Sequence, residues 1–199
     1  MIAALAAVVC LSAPAIVPVD GRVVDWFRAP GCAWCSGNRG LEFATTPGGV
    51  VVAPLAGTVT FAGSVGGVNY VVISADDDAL LDINLNVVLG GIQRPKVDEG
   101  DLDEGDLDEG DVVSAGQSIA RSSGWLYVGF RVGPRRDGRY LDPAPFFALA
   151  RKPARLVAPD PPPVSLARRL GLRVLPQKTR QRHCSVLPPV VASAREPGP

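Results

Sequence analysis

The chain has 199 residues, with 20 basic and 20 acidic side chains, 47% hydrophobic residues and a single histidine. This length and apolar content allow one compact domain with appendages, and they exclude a disordered polyampholyte and a multi-domain enzyme. A zinc site with two or three histidines, the usual basis of hydrolytic zinc chemistry, cannot be assembled from one histidine.

Residues 1–19 are expected to form a secretory signal. They carry no charge, an apolar run extends over residues 2–11, and Ala13-Pro14-Ala15 fits the small-residue pattern of a cleavage site. The pattern predicts cleavage after Ala15 and a secreted or cell-envelope protein. A membrane contact is expected only through this segment, if it stays uncleaved.

Residues 20–36 are interpreted as a Cys-containing loop that leads into the domain. Cys32 and Cys35 are close enough to pair, and an exported protein meets an oxidising environment, so a structural disulfide is favoured. Free thiols and a redox-active pair are the alternatives, although the flanking Pro and Gly residues are typical of a loop and not of a helix N-terminus. A further alternative is a zinc site built from Cys32, Cys35, His183 and Cys184.

The segment 37–150 is predicted to be all-β, with an antiparallel sheet core or sandwich. Its apolar runs are short, β-branched or alternating, and Gly, Pro and Asp separate them, whereas no long helical period occurs. The predicted strands are Val50–Ala53, Thr58–Ala62, Asn69–Ser74, Asp82–Leu89, Gln117–Ala120 and Trp125–Val132.

An acidic repeat occupies Asp98–Asp111, where the five-residue unit D-E-G-D-L recurs and nine of 14 residues are acidic. The interpretation is a duplicated tight turn that forms a solvated loop. A weak cation site is the alternative, but the spacing does not match a calcium-binding loop.

Residues 151–199 form a basic, Pro-rich tail. This segment carries 10 basic and 2 acidic side chains and ten of the 19 prolines, so the rest of the chain is acidic. Such a composition cannot bury enough apolar surface to offset the entropy of ordering, and the tail is expected to be disordered. An exported chain with an acidic body is not expected to bind nucleic acid.

Five segments, in the correct order, resemble the LytM/lysostaphin-type zinc metallopeptidase domain of peptidase family 23. They are Gly37–Phe43, Thr46–Gly63, Gly110–Ala120 with its G-D-x-V-x-x-G-Q-x-I pattern, Leu126–Arg131 and Tyr140–Pro143. The resemblance covers about residues 37 to 147. It implies a LytM-type β domain over 37–150 and, for an intact member, zinc-dependent cleavage of peptidoglycan.

The positions that would carry this chemistry are occupied by other residues. The family's H-x-x-x-D motif falls on Asn38 and Glu42, and its H-x-H motif falls on Trp125 and Tyr127. A further catalytic histidine of the family would fall near Val87. The resemblance therefore implies a degenerate member with no intact catalytic residue and no zinc, although zinc is the cofactor of the family.

The expected function is that of a non-catalytic domain that binds peptidoglycan or regulates a cell-wall hydrolase. One alternative is a residual metal-dependent peptidoglycan endopeptidase that draws ligands from Glu42, Asp82 or His183. A second alternative is a biotinyl/lipoyl-like β domain, which shares the G-D-x-V-x-x-G-Q phrase. That alternative needs an exposed lysine at a hairpin tip, and before the tail the chain has only Lys96, beside a proline.

Overall fold

The computed structural model describes residues 8–11, 13–32, 34–76, 84–93, 107–133, 138–150 and 184–186. These residues form eleven β-strands. Within them, no helix is long and apolar enough to span a bilayer. The strands are β1 (Val8–Cys10), β2 (Gly21–Asp25), β3 (Leu41–Thr45), β4 (Val50–Val52), β5 (Gly57–Val65), β6 (Val68–Ala75), β7 (Asn86–Gln93), β8 (Val112–Val113), β9 (Ser118–Val132), β10 (Arg139–Leu141) and β11 (Cys184–Val186).

Nine of these strands form one sheet, in the order β2-β3-β9-β7-β6-β5-β8, with β4 and β10 also paired to β9. Every pairing is antiparallel. The remaining two strands, β1 and β11, form a small antiparallel sheet of their own. The predicted all-β, antiparallel fold class is confirmed.

Strand β9 lies at the centre of the large sheet and separates its two faces. Leu126, Val128 and Phe130 are fully buried in the core, because alternate side chains of a strand point to the same side. The Phe130 ring packs edge-on against Phe146, with 5.0 Å between the ring centres. The other face of β9 is therefore available for the functional surface.

Two predicted strands, Gln117–Ala120 and Trp125–Val132, are one continuous strand in the structure. The polar residues between them do not end β9, because Gly124 adopts a φ of 110° that few other residues tolerate. The buried Ser122 hydroxyl also accepts a hydrogen bond from the Gly124 N–H at 3.1 Å and bonds to the Thr45 hydroxyl. The polar interruption is thus satisfied inside the sheet.

The predicted strand Asp82–Leu89 begins later than expected, at Asn86. Asn84 has a φ of 49°, in the left-handed region, so the extended conformation of the strand starts only after this residue. Residues 82 and 83 lie outside the described residues. The alternation of this segment holds from Leu85 onward, since Leu85, Val87 and Leu89 are buried.

The segment before residue 37 is more structured than the sequence indicates. Gly21–Asp25 is a strand of the large sheet, paired with β3, so residues 20–36 are not only a loop. The Ala15 N–H donates to the Phe146 carbonyl at 3.0 Å, and Val19 bridges to Val51. Ala15 and Val19 are buried as well, and these residues have the contacts of an integral part of the domain.

A disulfide joins Cys10 to Cys184 and connects the N-terminal segment to the tail. It lies in the small sheet, where Val8–Cys10 pairs with Cys184–Val186. The expectation of disorder is therefore wrong for these three tail residues, because two of them are covalently or sterically fixed: Cys184 is bonded and Ser185 is buried. The rest of the tail lies outside the described residues.

The second disulfide joins Cys32 to Cys35, as the sequence favours. With Cys184 bonded to Cys10, three of the four proposed ligands of the Cys32, Cys35, His183 and Cys184 zinc site hold their sulfur atoms in disulfides. That alternative is wrong. His183 itself lies outside the described residues.

The end of the acidic repeat forms a tight turn. The Asp111 carboxylate accepts the Asp108 N–H at 2.8 Å, and the Gly110 N–H donates to the Val59 carbonyl at 2.8 Å. These bonds fasten residues 108–111 to β5, in line with the turn interpretation. Residues 98–106 of the repeat, and Lys96 before it, lie outside the described residues.

The two disulfides should contribute unequally to stability. In the chain that retains residues 1–15, replacing both Cys10 and Cys184 by Ser should lower the free energy of unfolding by about 2–4 kcal/mol, because this bond restricts a long loop in the unfolded chain. The matched pair is Cys32→Ser with Cys35→Ser, which opens a bond of sequence separation 3 instead of 174 and should cost less. Urea unfolding of both variants measures which one loses more free energy of unfolding. A larger loss for the Cys32 and Cys35 variant would show that the small sheet contributes nothing to stability.

Candidate ligand-binding groove

The face of the large sheet opposite the core carries an open groove. Its described lining comes from five strands, β5, β6, β7, β9 and β10, and its volume is about 550 Å³. The lining residues are Thr60, Phe61, Val65, Tyr70, Val72, Val88, Tyr127, Arg131 and Tyr140. Arg131 is the only charged side chain among these described residues.

Strand register brings Tyr127 and Tyr70 into one row across the sheet. Tyr127 pairs with Glu42 of β3 on one side and with Gly90 of β7 on the other, and Gly90 pairs with Tyr70 of β6. A Cβ at Gly90 would lie 2.5 Å from the Tyr70 ring. The glycine therefore lets an aromatic ring lie flat on the sheet at the centre of the groove.

Tyr127 packs closely against the segment that carries Asn38 and Glu42. A Cβ at Gly40 would lie 2.7 Å from the Tyr127 ring, so only glycine allows this approach. The Asn38 side-chain oxygen accepts the Gly40 N–H at 3.1 Å, and Asn38 is buried. Three of the four residues predicted from the family motifs, Asn38, Glu42 and Tyr127, are thus brought together by the fold.

Asn38 is positioned by the disulfide-closed loop that precedes it. Its backbone exchanges two hydrogen bonds with Arg28, at 2.8 and 3.0 Å, and these close the loop that contains Cys32 and Cys35. The Arg28 guanidinium forms an ion pair with Asp25, which lowers the pKa of the Asp25 carboxyl. Trp34, at the tip of this loop, is 97% exposed.

Trp125 lies apart from this group. It pairs with Ala44, is 39% exposed, and its ring lies over Gly91, where a Cβ would approach within 2.9 Å. Val87, near which the resemblance places a further histidine of the family, is fully buried in the core. Its neighbour Val88 points into the groove instead.

The side chains at the family's metal positions do not fit zinc. An amide at Asn38 is a poor zinc ligand, and burial raises the pKa of the Tyr127 hydroxyl, so that the phenol stays neutral at ordinary pH. Glu42 is then the one carboxylate of the set. Across the ranges that the structure describes, no cluster of three or more His, Cys, Asp or Glu side chains is arranged to hold a metal.

Of the nine lining residues, the sequence reasoning named only Tyr127 as a site residue, and it missed the other eight, among them Phe61, Tyr70, Arg131 and Tyr140. Alternation along each strand gives the side of the sheet on which a residue lies. It does not give which strands are neighbours or their register, and both are needed to place Tyr70 beside Gly90 and Tyr140 beside Arg131.

No protein-family model and no curated protein matches the chain. Solved structures do. Lysostaphin from Staphylococcus simulans, an antimicrobial peptidase, is 19% identical over 77% of this chain and 62% of its own, with a TM-score of 0.51. A solution structure of lysostaphin is 21% identical over 75% and 60% of the two chains, with a TM-score of 0.52. Csd3 from Helicobacter pylori is 20% identical over 73% and 37%, with a TM-score of 0.50.

This chain has the LytM/lysostaphin-type peptidase fold. The resemblance inferred from the five sequence segments is confirmed at the level of the fold. The matched region spans 37% of the Csd3 chain and about three fifths of the lysostaphin chains, at 60% and 62%.

The geometry predicts that a zinc site can be restored in this LytM-type fold. Asn38→His, Glu42→Asp and Tyr127→His together should give a two-histidine, one-carboxylate site that binds about one zinc per chain. Asn38→His alone is the control and should bind none, because one added ligand does not overcome the hydration of the ion. Missing outer-shell partners should weaken the restored site by about 10- to 100-fold.

Zinc affinity of the folded triple variant and the wild type, measured by competition with a chelator, checks this prediction. Equal, poor binding by both would show that the matched positions do not have the family's geometry. Turnover is not expected, since Trp125 offers no acid or base.

Burial of Tyr127 predicts a loss of stability at high pH. Because its pKa is raised in the folded state, the neutral phenol is favoured there. The associated stability is fully present below the unfolded pKa of about 10 and is lost as pH rises above it. Between about pH 9 and pH 11, wild type should therefore lose more stability than Tyr127→Phe. Equal losses in urea unfolding would place the Tyr127 hydroxyl in water.

Proposed function

We propose that this protein is a non-catalytic cell-envelope module whose groove binds peptidoglycan. The observation that carries the proposal is an open groove of about 550 Å³ on the face where the family's active site would be. The positions of the family's metal ligands hold Asn38, Glu42 and Tyr127 in this chain. The fold supplies the position of the groove, and the side chains supply binding surface in place of hydrolytic chemistry.

The size and lining of the groove support a ligand. A volume of about 550 Å³ is within the range of binding sites for small molecules and short peptides. Aromatic rings provide flat apolar surface for sugar rings or peptide side chains, and tyrosine adds a hydroxyl for hydrogen bonding. Phe61, Tyr70, Tyr127 and Tyr140 supply these surfaces here.

Peptidoglycan is the proposed ligand because the family resemblance implies a wall-directed domain. The fold neighbour lysostaphin is an antimicrobial peptidase. In this proposal the protein is secreted or held in the cell envelope, where the wall or a wall hydrolase is its partner. Its basic tail would add salt-sensitive attraction to an anionic wall.

The alternative, a residual metal-dependent endopeptidase, needs ligands beyond the family positions. Glu42 is the cross-strand neighbour of Tyr127, but Asp82 and His183 lie outside the described residues. Elemental analysis of the full chain after dialysis distinguishes the two functions. The proposed function requires less than about 0.1 zinc per chain, since the three-ligand site is missing. Near-stoichiometric zinc would support the alternative.

Binding to wall material tests the proposal directly. Full-length protein should co-sediment with purified, protein-free peptidoglycan, and Tyr70→Ala should weaken this binding by about tenfold, because it removes a stacking ring worth about 1–2 kcal/mol. The matched control is Val112→Ala, which truncates a side chain that is 72% exposed and outside the groove.

Salt and peptide digestion separate the groove from the tail. Groove binding should persist at about 0.5 M salt, whereas attraction through the tail is screened. Release of peptide chains from the wall by an amidase shows whether the groove holds the glycan or the peptide. Wild type that fails to sediment at any salt would refute the proposed function.

A further inference from the structure

The chemical character of the lining changes along the groove, from apolar side chains on its floor to a charged side chain at one end. The row through its centre, Tyr127 and Tyr70, is aromatic, and the next row, Val88 and Val72, is aliphatic. Phe61 pairs with Val72 and continues this apolar floor. At this side of the sheet the groove offers surface for an apolar group of small size.

Arg131 lies at one end of this floor. It follows Tyr127 and Gly129 on the same face of β9, and it pairs with Tyr140 of β10 on one side and Asn86 of β7 on the other. Arg131 and Tyr140 both line the groove. Arg131 and Tyr140 are therefore cross-strand neighbours on this face, next to an aliphatic surface.

This combination selects one ligand class. A guanidinium presents a planar fork of donors that matches a carboxylate, and a partly desolvated site strengthens charge-assisted hydrogen bonds. The Tyr127 hydroxyl lies against Gly129, two residues before Arg131, and a phenol is a neutral hydrogen-bond donor at ordinary pH. Tyr140, the cross-strand neighbour of Arg131, brings a second phenol to the same groove.

We infer that the groove binds the carboxylate end of a peptide, with Arg131 as the charge partner, Tyr127 and Tyr140 as hydroxyl donors, and Val72 and Val88 against a small apolar terminal side chain. This inference rests on the proposed function and narrows it. A wall peptide with a free C-terminus is bound, and one whose terminal carboxylate is consumed in a cross-link is not. The module would then report on uncross-linked peptide ends.

The test uses one ligand pair and the full chain. The probes are diacetyl-Lys-Ala-Ala, with D configuration at both alanines, and the same peptide as its C-terminal amide. Wild type should bind the acid about 10- to 100-fold more tightly than the amide, the range for a hydrogen bond to a charged group. Titration calorimetry measures both affinities, and the amide controls for every contact except the charge.

Protein variants assign the effect to Arg131. Arg131→Gln should bind acid and amide equally, and Arg131→Lys should keep part of the preference because it retains the charge without the planar fork. Arg121→Gln is the matched control, since Arg121 is an exposed arginine of the same strand that lies outside the groove lining, and it should behave as wild type. Thermal unfolding verifies that each variant is folded.

The outcomes separate this inference from the proposed function. Equal binding of acid and amide by wild type, or binding of whole peptidoglycan with no binding of either peptide, overturns the inference and leaves the wall-binding function standing. Failure to bind both the peptides and whole peptidoglycan refutes both. An acid preference that survives Arg131→Gln in a folded protein overturns the assignment of the carboxylate to Arg131.

Discussion

The period-2 alternation of β9 is the constraint on which both faces of this protein depend. Phe130 and its inward neighbours hold the core, while Tyr127 and Arg131 of the same strand point into the groove. A register slip of one residue would place phenol and guanidinium in the core and phenyl rings in water. Four strands pair with β9 directly, and two more, β2 and β6, pair with it through one neighbour. One strand therefore contributes side chains to both the core and the groove.

Packing and local hydrogen bonds hold the residues that occupy the family's metal positions in this chain. A metal site holds its ligands by coordination, and its second shell orients them. Here Tyr127 is held by packing, since its ring lies against Gly40, and Asn38 fixes that turn by accepting the Gly40 N–H. The Arg28–Asn38 backbone bridge and the Cys32–Cys35 disulfide hold the turn from the other side. The site keeps a defined shape through local hydrogen bonds and a covalent link.

The sequence predicts the fold class and the positions of the family motifs, because both are local or nearly local patterns. Alternation and turn residues predicted most strands of the groove, and the family resemblance pointed to Tyr127, which lines it. Long-range features were not accessible in this way. Cys10 and Cys184 are separated by 174 residues, and four cysteines allow three connectivities, none of which spacing can select. The burial of Ala15 was missed for the same reason, since its partner Phe146 is distant in sequence.

An open groove also bears on whether the domain serves only as a scaffold. Larger side chains on the central strands would close the groove, bury apolar surface and stabilise the sheet. The described lining instead contains half-buried apolar residues, Phe61, Val72 and Val88, and Gly90 leaves room for the Tyr70 ring on the sheet. Apolar surface kept accessible beside a single guanidinium is characteristic of a site that exchanges water for a ligand. The shape of the groove thus favours binding over a purely structural role, and the charge of Arg131 restricts which ligands gain from that exchange.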